Sequence, residues 1–156
     1  MVYYRGFTVS FQEVPDETSL TILIGDCPFR CKGCHSPELQ EAKGNNLLED
    51  INDLIDKYFG AITCVCFMGE GRDEEELLAC NQIAKDRGLK TALYSGSDTA
   101  FARMLEHFDY IKQGPYIESL GGLDSPTTNQ KMYKICHSKD GVYVENITKR
   151  FQKPER

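Results

Sequence analysis

Hydrophobic and polar positions alternate over residues 7–13 (FTVSFQE) and 19–25 (SLTILIG), which predicts two strands. Val14-Pro15-Asp16-Glu17 between them has turn chemistry, so the pair reads as a hairpin. From 47 to 59 the period changes. Leu47, Leu48, Ile51, Leu54, Ile55 and Tyr58 fall on one helical face, and Asn46 is placed to cap it. ITCVCFM at 62–68 is a short apolar run of the buried-strand type, ending at Gly69-Glu70-Gly71. Asp73 is an N-cap candidate for a helix through Arg87, with Glu74, Glu75 and Glu76 suiting its N-terminal dipole and Gly88 ending it. KTALY at 90–94 predicts a strand, 98–108 a helix, DYIKQ at 109–113 a strand and GVYVENIT at 141–148 a last one.

Strands alternating with helices after a hairpin predict an α/β fold with a mainly parallel sheet. No repeat or linker divides the chain, so residues 1–156 read as a single domain. That length is too short for a complete eight-stranded α/β barrel, which takes about 250 residues. The cysteine-rich segment follows one strand, Gly69-Glu70 the next, Ser95-Gly96 the next and Gln113-Gly114 the next. In a parallel sheet these four points share the C-terminal edge, where α/β proteins place their sites. Residues 114–130 form a long loop, read either as a contact surface carrying Tyr116, Asn129 and Gln130 or as a loop packed on its own sheet.

Charge narrows the partners. The formal net charge is -6, and the clearest basic run is the terminal Lys149, Arg150, Lys153, so nucleic acid is not the expected partner. No apolar run approaches the roughly 20 residues that span a bilayer, and the first residues lack a secretory core. The expectation is a cytoplasmic protein without a membrane partner. Seven cysteines, an odd number without an export signal, argue against a disulfide framework and leave metal ligation or core packing.

Cys27, Cys31 and Cys34 stand in a Cx3Cx2C pattern beside Pro28, Arg30 and Lys32. Three thiolates from one loop suit a soft metal centre, and three ligands on a four-iron cube leave one iron open. The rival is a structural zinc with His35, His137 or Cys136 as fourth ligand; adjacent Cys34 and His35 are poorly spaced for one tetrahedral ion. Cys64 and Cys66 share one face of a predicted buried strand, and with Cys80 they read as core.

The Cx3Cx2C motif followed by a Gly/Glu turn after the next strand resembles the radical S-adenosylmethionine (SAM) superfamily. The longer stretch FQEVPDETSLTILIGDCPFRCKGCHSPEL, with GPYIESL and TTNQK, is similar to the activating proteins of anaerobic (class III) ribonucleotide reductases. This resemblance spans nearly the whole chain. It implies a radical SAM fold, a partial TIM-type barrel of mostly parallel strands. It implies a [4Fe–4S] cluster on Cys27, Cys31 and Cys34, with the amine and carboxylate of SAM on the fourth iron. Gly33, Cys34 and His35 would then lie against SAM through their backbone. Gly69 would contact its amine, Glu70 is a second candidate there, and Ser95 either bonds SAM or leaves its turn to Ser97 or Asp98 as helix caps.

The implied activity is one-electron cleavage of SAM, fed by an external donor, to a 5′-deoxyadenosyl radical. That radical makes a glycyl radical on a loop of the large reductase subunit. Two alternatives remain: another small radical SAM enzyme or activase, and a zinc-stabilised interaction module.

Overall fold

The computed structural model describes residues 1–25 and 45–152. The described chain is an α/β fold built on one eight-stranded sheet. In chain order the elements are β1 (Tyr3–Ser10), β2 (Ser19–Ile24), β3 (Asn45–Asn46), α1 (Leu47–Tyr58), β4 (Cys64–Met68), α2 (Glu74–Asp86), β5 (Lys90–Tyr94), α3 (Ala100–Met104), β6 (Tyr110–Gln113), β7 (Lys131–Ser138) and β8 (Gly141–Asn146). The sheet order is β3-β1-β2-β4-β5-β6-β7-β8.

The parallel part is the centre. β2, β4, β5 and β6 run parallel, in a register that sets Leu23, Met68, Tyr94 and Lys112 in one row. Helices α1, α2 and α3 provide the crossovers that parallel neighbours need. Both flanks are antiparallel: β1 with β2 and β3 on one side, β7 with β6 and β8 on the other. The sheet is therefore mixed, with the expected parallel strands at its centre and antiparallel strands on both flanks, and among the described residues it does not close on itself. The departure begins after β6, where the chain makes a loop instead of a helical crossover and returns antiparallel as β7. The pattern of KMYKICHS hides this strand, since only Met132 and Ile135 in it are buried.

Two apolar clusters lie on opposite faces of the sheet. On the helical face, Leu20, Ile22 and Ile24 of β2, Val65 and Phe67 of β4, Leu93 and Ile111 pack against Leu47, Ile51, Leu77, Ala84 and Met104. Phe67 meets Phe108 edge to face at 6.2 Å between centroids. On the other face Cys64, Cys66, Ala92, Tyr110 and Met132 are covered by Val14 of the β1–β2 connection and Ile147 near the C-terminus. Burial of both faces explains why β4 reads as an unbroken apolar run.

The helix ends follow from the sequence. Asn46 accepts from the Glu49 amide and Asp73 from the Glu76 amide, as their cap positions predict. Leu48 is 38% exposed, off the buried stripe of α1. The helix expected over 98–108 is only Ala100–Met104 followed by turns, and its N-cap is Thr99 rather than Ser97 or Asp98. No described helix is long and apolar enough to cross a membrane.

Phe67 is fully buried in the central strand, so Phe67→Ala should cost about 3–5 kcal/mol in urea unfolding. Asp73→Ala should cost about 1 kcal/mol through loss of the cap. A Phe67→Ala loss under that of Asp73→Ala would contradict this description of the core.

Candidate functional site

The ends of the four parallel strands lie side by side. Beyond β4, the Gly69 amide donates to the Tyr94 carbonyl at 2.8 Å; beyond β5, the Ser95 amide donates to the Lys112 carbonyl at 2.8 Å. Beyond β2, the Gly25 amide donates to Tyr3, and beyond β6, the Gly114 amide donates to Ser97. Gly25, Gly69, Ser95 and Gly114 thus mark one edge, as their positions after successive strands predict. Residues 26–44 follow directly on Gly25. Cys27, Cys31, Gly33, Cys34 and His35 fall among them, outside the described residues.

Gly69 and Gly71 explain why the turn after β4 is glycine-rich. Their φ values are +109° and +67°, in the left-handed region that glycine favours. Space is tight as well. A Cβ on Gly69 would lie 3.2 Å from the Ile24 carbonyl oxygen, and one on Gly71 would lie 3.3 Å from Ile24 Cγ2 and 3.6 Å from the Gly25 oxygen. The Gly69-Glu70-Gly71 turn therefore rests on the last residues of β2, at the point where the cysteine segment begins.

Glu70 stands between the two glycines, its side chain 11% exposed. Its carboxylate is held from two sides. Ser95 Oγ donates to Oε2 at 2.5 Å, and Arg103 Nη2 donates to Oε1 at 2.9 Å. Ser95 is itself buried, and its Oγ accepts from the Ser97 amide at 3.0 Å. The Ser95 hydroxyl is thus engaged with Glu70, a role that neither expectation for that turn contained. Arg103 was missed altogether; its distance in sequence hides it, and the only local cue is its place four residues after Thr99.

The loop after β6 has two parts. Residues 120–130 are tied to their own backbone: Ser125 Oγ and Thr127 Oγ1 donate to the Leu120 carbonyl, Asn129 Nδ2 to Pro115, and Gln130 Nε2 to Gly114. Ahead of them Tyr116, Ile117, Glu118 and Ser119 line an open cavity of about 550 Å³. Self-packing and an accessible surface therefore coexist in this loop.

Cys136 and His137 lie elsewhere. β7 runs antiparallel to β6, so Lys131 pairs with Gln113 at the site edge and the strand leads away to Ser138. His137 Nε2 lies 2.9 Å from the Leu105 carbonyl and Nδ1 lies 3.9 Å from Asp109. Cys136 and His137 therefore lie along β7 away from the edge marked by Gly25, Gly69 and Ser95. Cys64 and Cys66 are fully buried on one sheet face. Burial pushes the Cys64 thiol up to about 12 and the Cys66 thiol well above its ordinary range, so both remain protonated at neutral pH. Burial likewise pushes Cys80 up to about 12.

Comparison with known proteins adds no relative: no family model, no curated protein and no solved structure matches this chain.

The donor set is suited to the cofactors that the sequence suggests. Three thiols in Cx3Cx2C are soft ligands, and Glu70 carries a carboxylate at the edge where that segment begins. Two predictions follow from the geometry. Gly69→Ala and Gly60→Ala both place a side chain at positive φ, a cost of about 1–2 kcal/mol, but only Gly69 also meets neighbours, since a Cβ on Gly60 has none within 4 Å. Gly69→Ala should therefore be the more destabilising in urea, and an equal loss would contradict the close approach. In native protein at pH 8, alkylation mapped by mass spectrometry should modify the exposed Cys136 and spare Cys64, Cys66 and Cys80. Rapid labelling of Cys64 or Cys66 would contradict their burial.

Proposed function

We propose that this protein is a radical SAM activase that makes a glycyl radical on anaerobic ribonucleotide reductase, its sheet forming an incomplete barrel of the TIM type. The observation that carries this reading is the convergence at one edge of Gly25, where the cysteine segment begins, the Gly69-Glu70-Gly71 turn and Ser95. Cys27, Cys31 and Cys34 would hold the [4Fe–4S] cluster. When bound, cluster and SAM supply one-electron reductive cleavage and a carbon radical able to take a hydrogen atom from a glycine Cα.

The chain's own residues bind and orient. Gly33, Cys34 and His35 would present backbone to SAM, Gly69 allows close approach, and the Glu70 carboxylate can accept from the N–H groups of its amine. No acid–base side chain is needed for hydrogen-atom transfer, and the Glu70 carboxylate is already paired with Arg103. The cavity at Tyr116–Ser119, in the loop that follows β6, suits contact with a loop of a large partner. The electron would come from an external donor, and no residue assigned here calls for nucleic acid or a membrane.

Protein purified without oxygen should be brown and contain iron and sulfide. After reduction with SAM and the large reductase subunit, it should give a glycyl-radical signal by electron paramagnetic resonance. Cys31→Ala should abolish SAM cleavage. Colourless protein holding stoichiometric zinc after reconstitution would overturn the reading in favour of a zinc-stabilised module. A radical formed only on a different glycyl-radical enzyme would reassign the partner.

A further inference from the structure

Glu70 belongs to a closed ring of hydrogen bonds that joins two strand ends and a helix. Ser95 Oγ donates to Glu70 Oε2, and the Ser97 amide donates to Ser95 Oγ. Ser97 Oγ and Thr99 Oγ1 share a hydrogen bond of 2.8 Å, and the Thr99 amide also donates to Ser97 Oγ at 3.1 Å. Arg103 Nε donates to Thr99 Oγ1 at 3.1 Å, and Arg103 Nη2 closes the ring on Glu70 Oε1. The third guanidinium nitrogen, Nη1, lies 3.7 Å from Glu74 Oε2 at the start of α2.

Each nitrogen of the Arg103 fork thus has its own partner, on β5–α3, on the β4 turn and on α2. A planar guanidinium serves three directions at once, which a lysine ammonium does not do in a fixed plane. The consequence falls on Glu70. Its flanking glycines permit wide backbone freedom, yet both carboxylate oxygens are anchored. An ionised carboxylate offers about four lone-pair sites, so about two remain for a ligand. Two carboxylates against one guanidinium leave these three side chains net negative, which favours an N–H donor at the remaining lone pairs.

We infer that Arg103 is a positioning residue: through Glu70 it sets the carboxylate that accepts from the amino N–H groups of a ligand at this edge. The inference rests on the proposed SAM site and adds a residue to it. Arg103 acts on Glu70 rather than on the ligand: its Nε and Nη2 are hydrogen-bonded within the protein and its Nη1 faces Glu74.

The test uses anaerobically reconstituted protein and equilibrium binding of two probes, SAM and its analogue lacking the α-amino group. Arg103→Gln should weaken SAM about tenfold, the size expected for a lost charged hydrogen bond, and leave the desamino analogue unchanged. Arg103→Lys, which keeps the charge but loses the fork, should recover part of the affinity. Glu70→Gln should weaken SAM similarly, and adding Arg103→Gln to it should cause no further loss, because the two act as one unit.

Equal weakening of both probes by Arg103→Gln, or additive losses in the double variant, would overturn the positioning role. SAM affinity unchanged in both Arg103→Gln and Arg103→Lys would overturn it while leaving the proposed function standing. Failure of the wild-type protein to bind SAM would overturn the function, and with it this inference.

Discussion

The approach of the Gly69-Glu70-Gly71 turn to the end of β2 is the constraint on which the candidate site depends. Parallel pairing of β2 with β4 brings the two strand ends level, and the absence of a side chain on Gly69 lets the turn settle on the Ile24 carbonyl. Only then is Glu70 held beside the start of the cysteine segment, and only then do Ser95 and Arg103 reach it. A bulkier residue at Gly69 would have to move either the turn or the last residue of β2. The site is therefore a property of register and close packing as much as of the residues that carry its chemistry.

The two faces of the sheet divide the work. The helical face supplies the larger core and fixes the crossovers that deliver Glu70, Ser95 and Arg103. The opposite face is covered by the β1–β2 connection, by Leu123 of the long loop and by the C-terminal segment. Its cysteines are buried thiols that contribute packing. Protonated Cys64 and Cys66 are poor metal ligands and poor nucleophiles, since both roles need the thiolate.

Much of the framework was legible in the chain. Asn46 and Asp73 as caps, β5 at Lys90–Tyr94, and the alignment of strand ends all rest on local chemistry: capping side chains, apolar runs and glycines after strands. What failed to show has physical reasons. β7 is only partly buried, so its pattern lacks a clear period, and without it the antiparallel flank and the open, mixed sheet were hidden. α3 ends early because the chain turns after Met104 to bring Phe108 into the core, where periodicity alone suggested continuation. Ser95 was visible as a candidate, but its partner Glu70 and the Arg103 fork are tertiary: the three lie on a strand end, a turn and a helix separated by 25 and 33 positions. The cysteine motif remains the strongest signal for function, and the described residues supply the edge on which it would act.

The central claim is that three cysteines leave one iron to be bound by the amine of SAM. The most direct measurement is electron–nuclear double resonance on the reduced cluster, with SAM carrying ¹⁵N in its α-amino group. The account predicts a ¹⁵N coupling to the cluster that disappears with unlabelled SAM. A reduced cluster with SAM bound but no ¹⁵N coupling would contradict it.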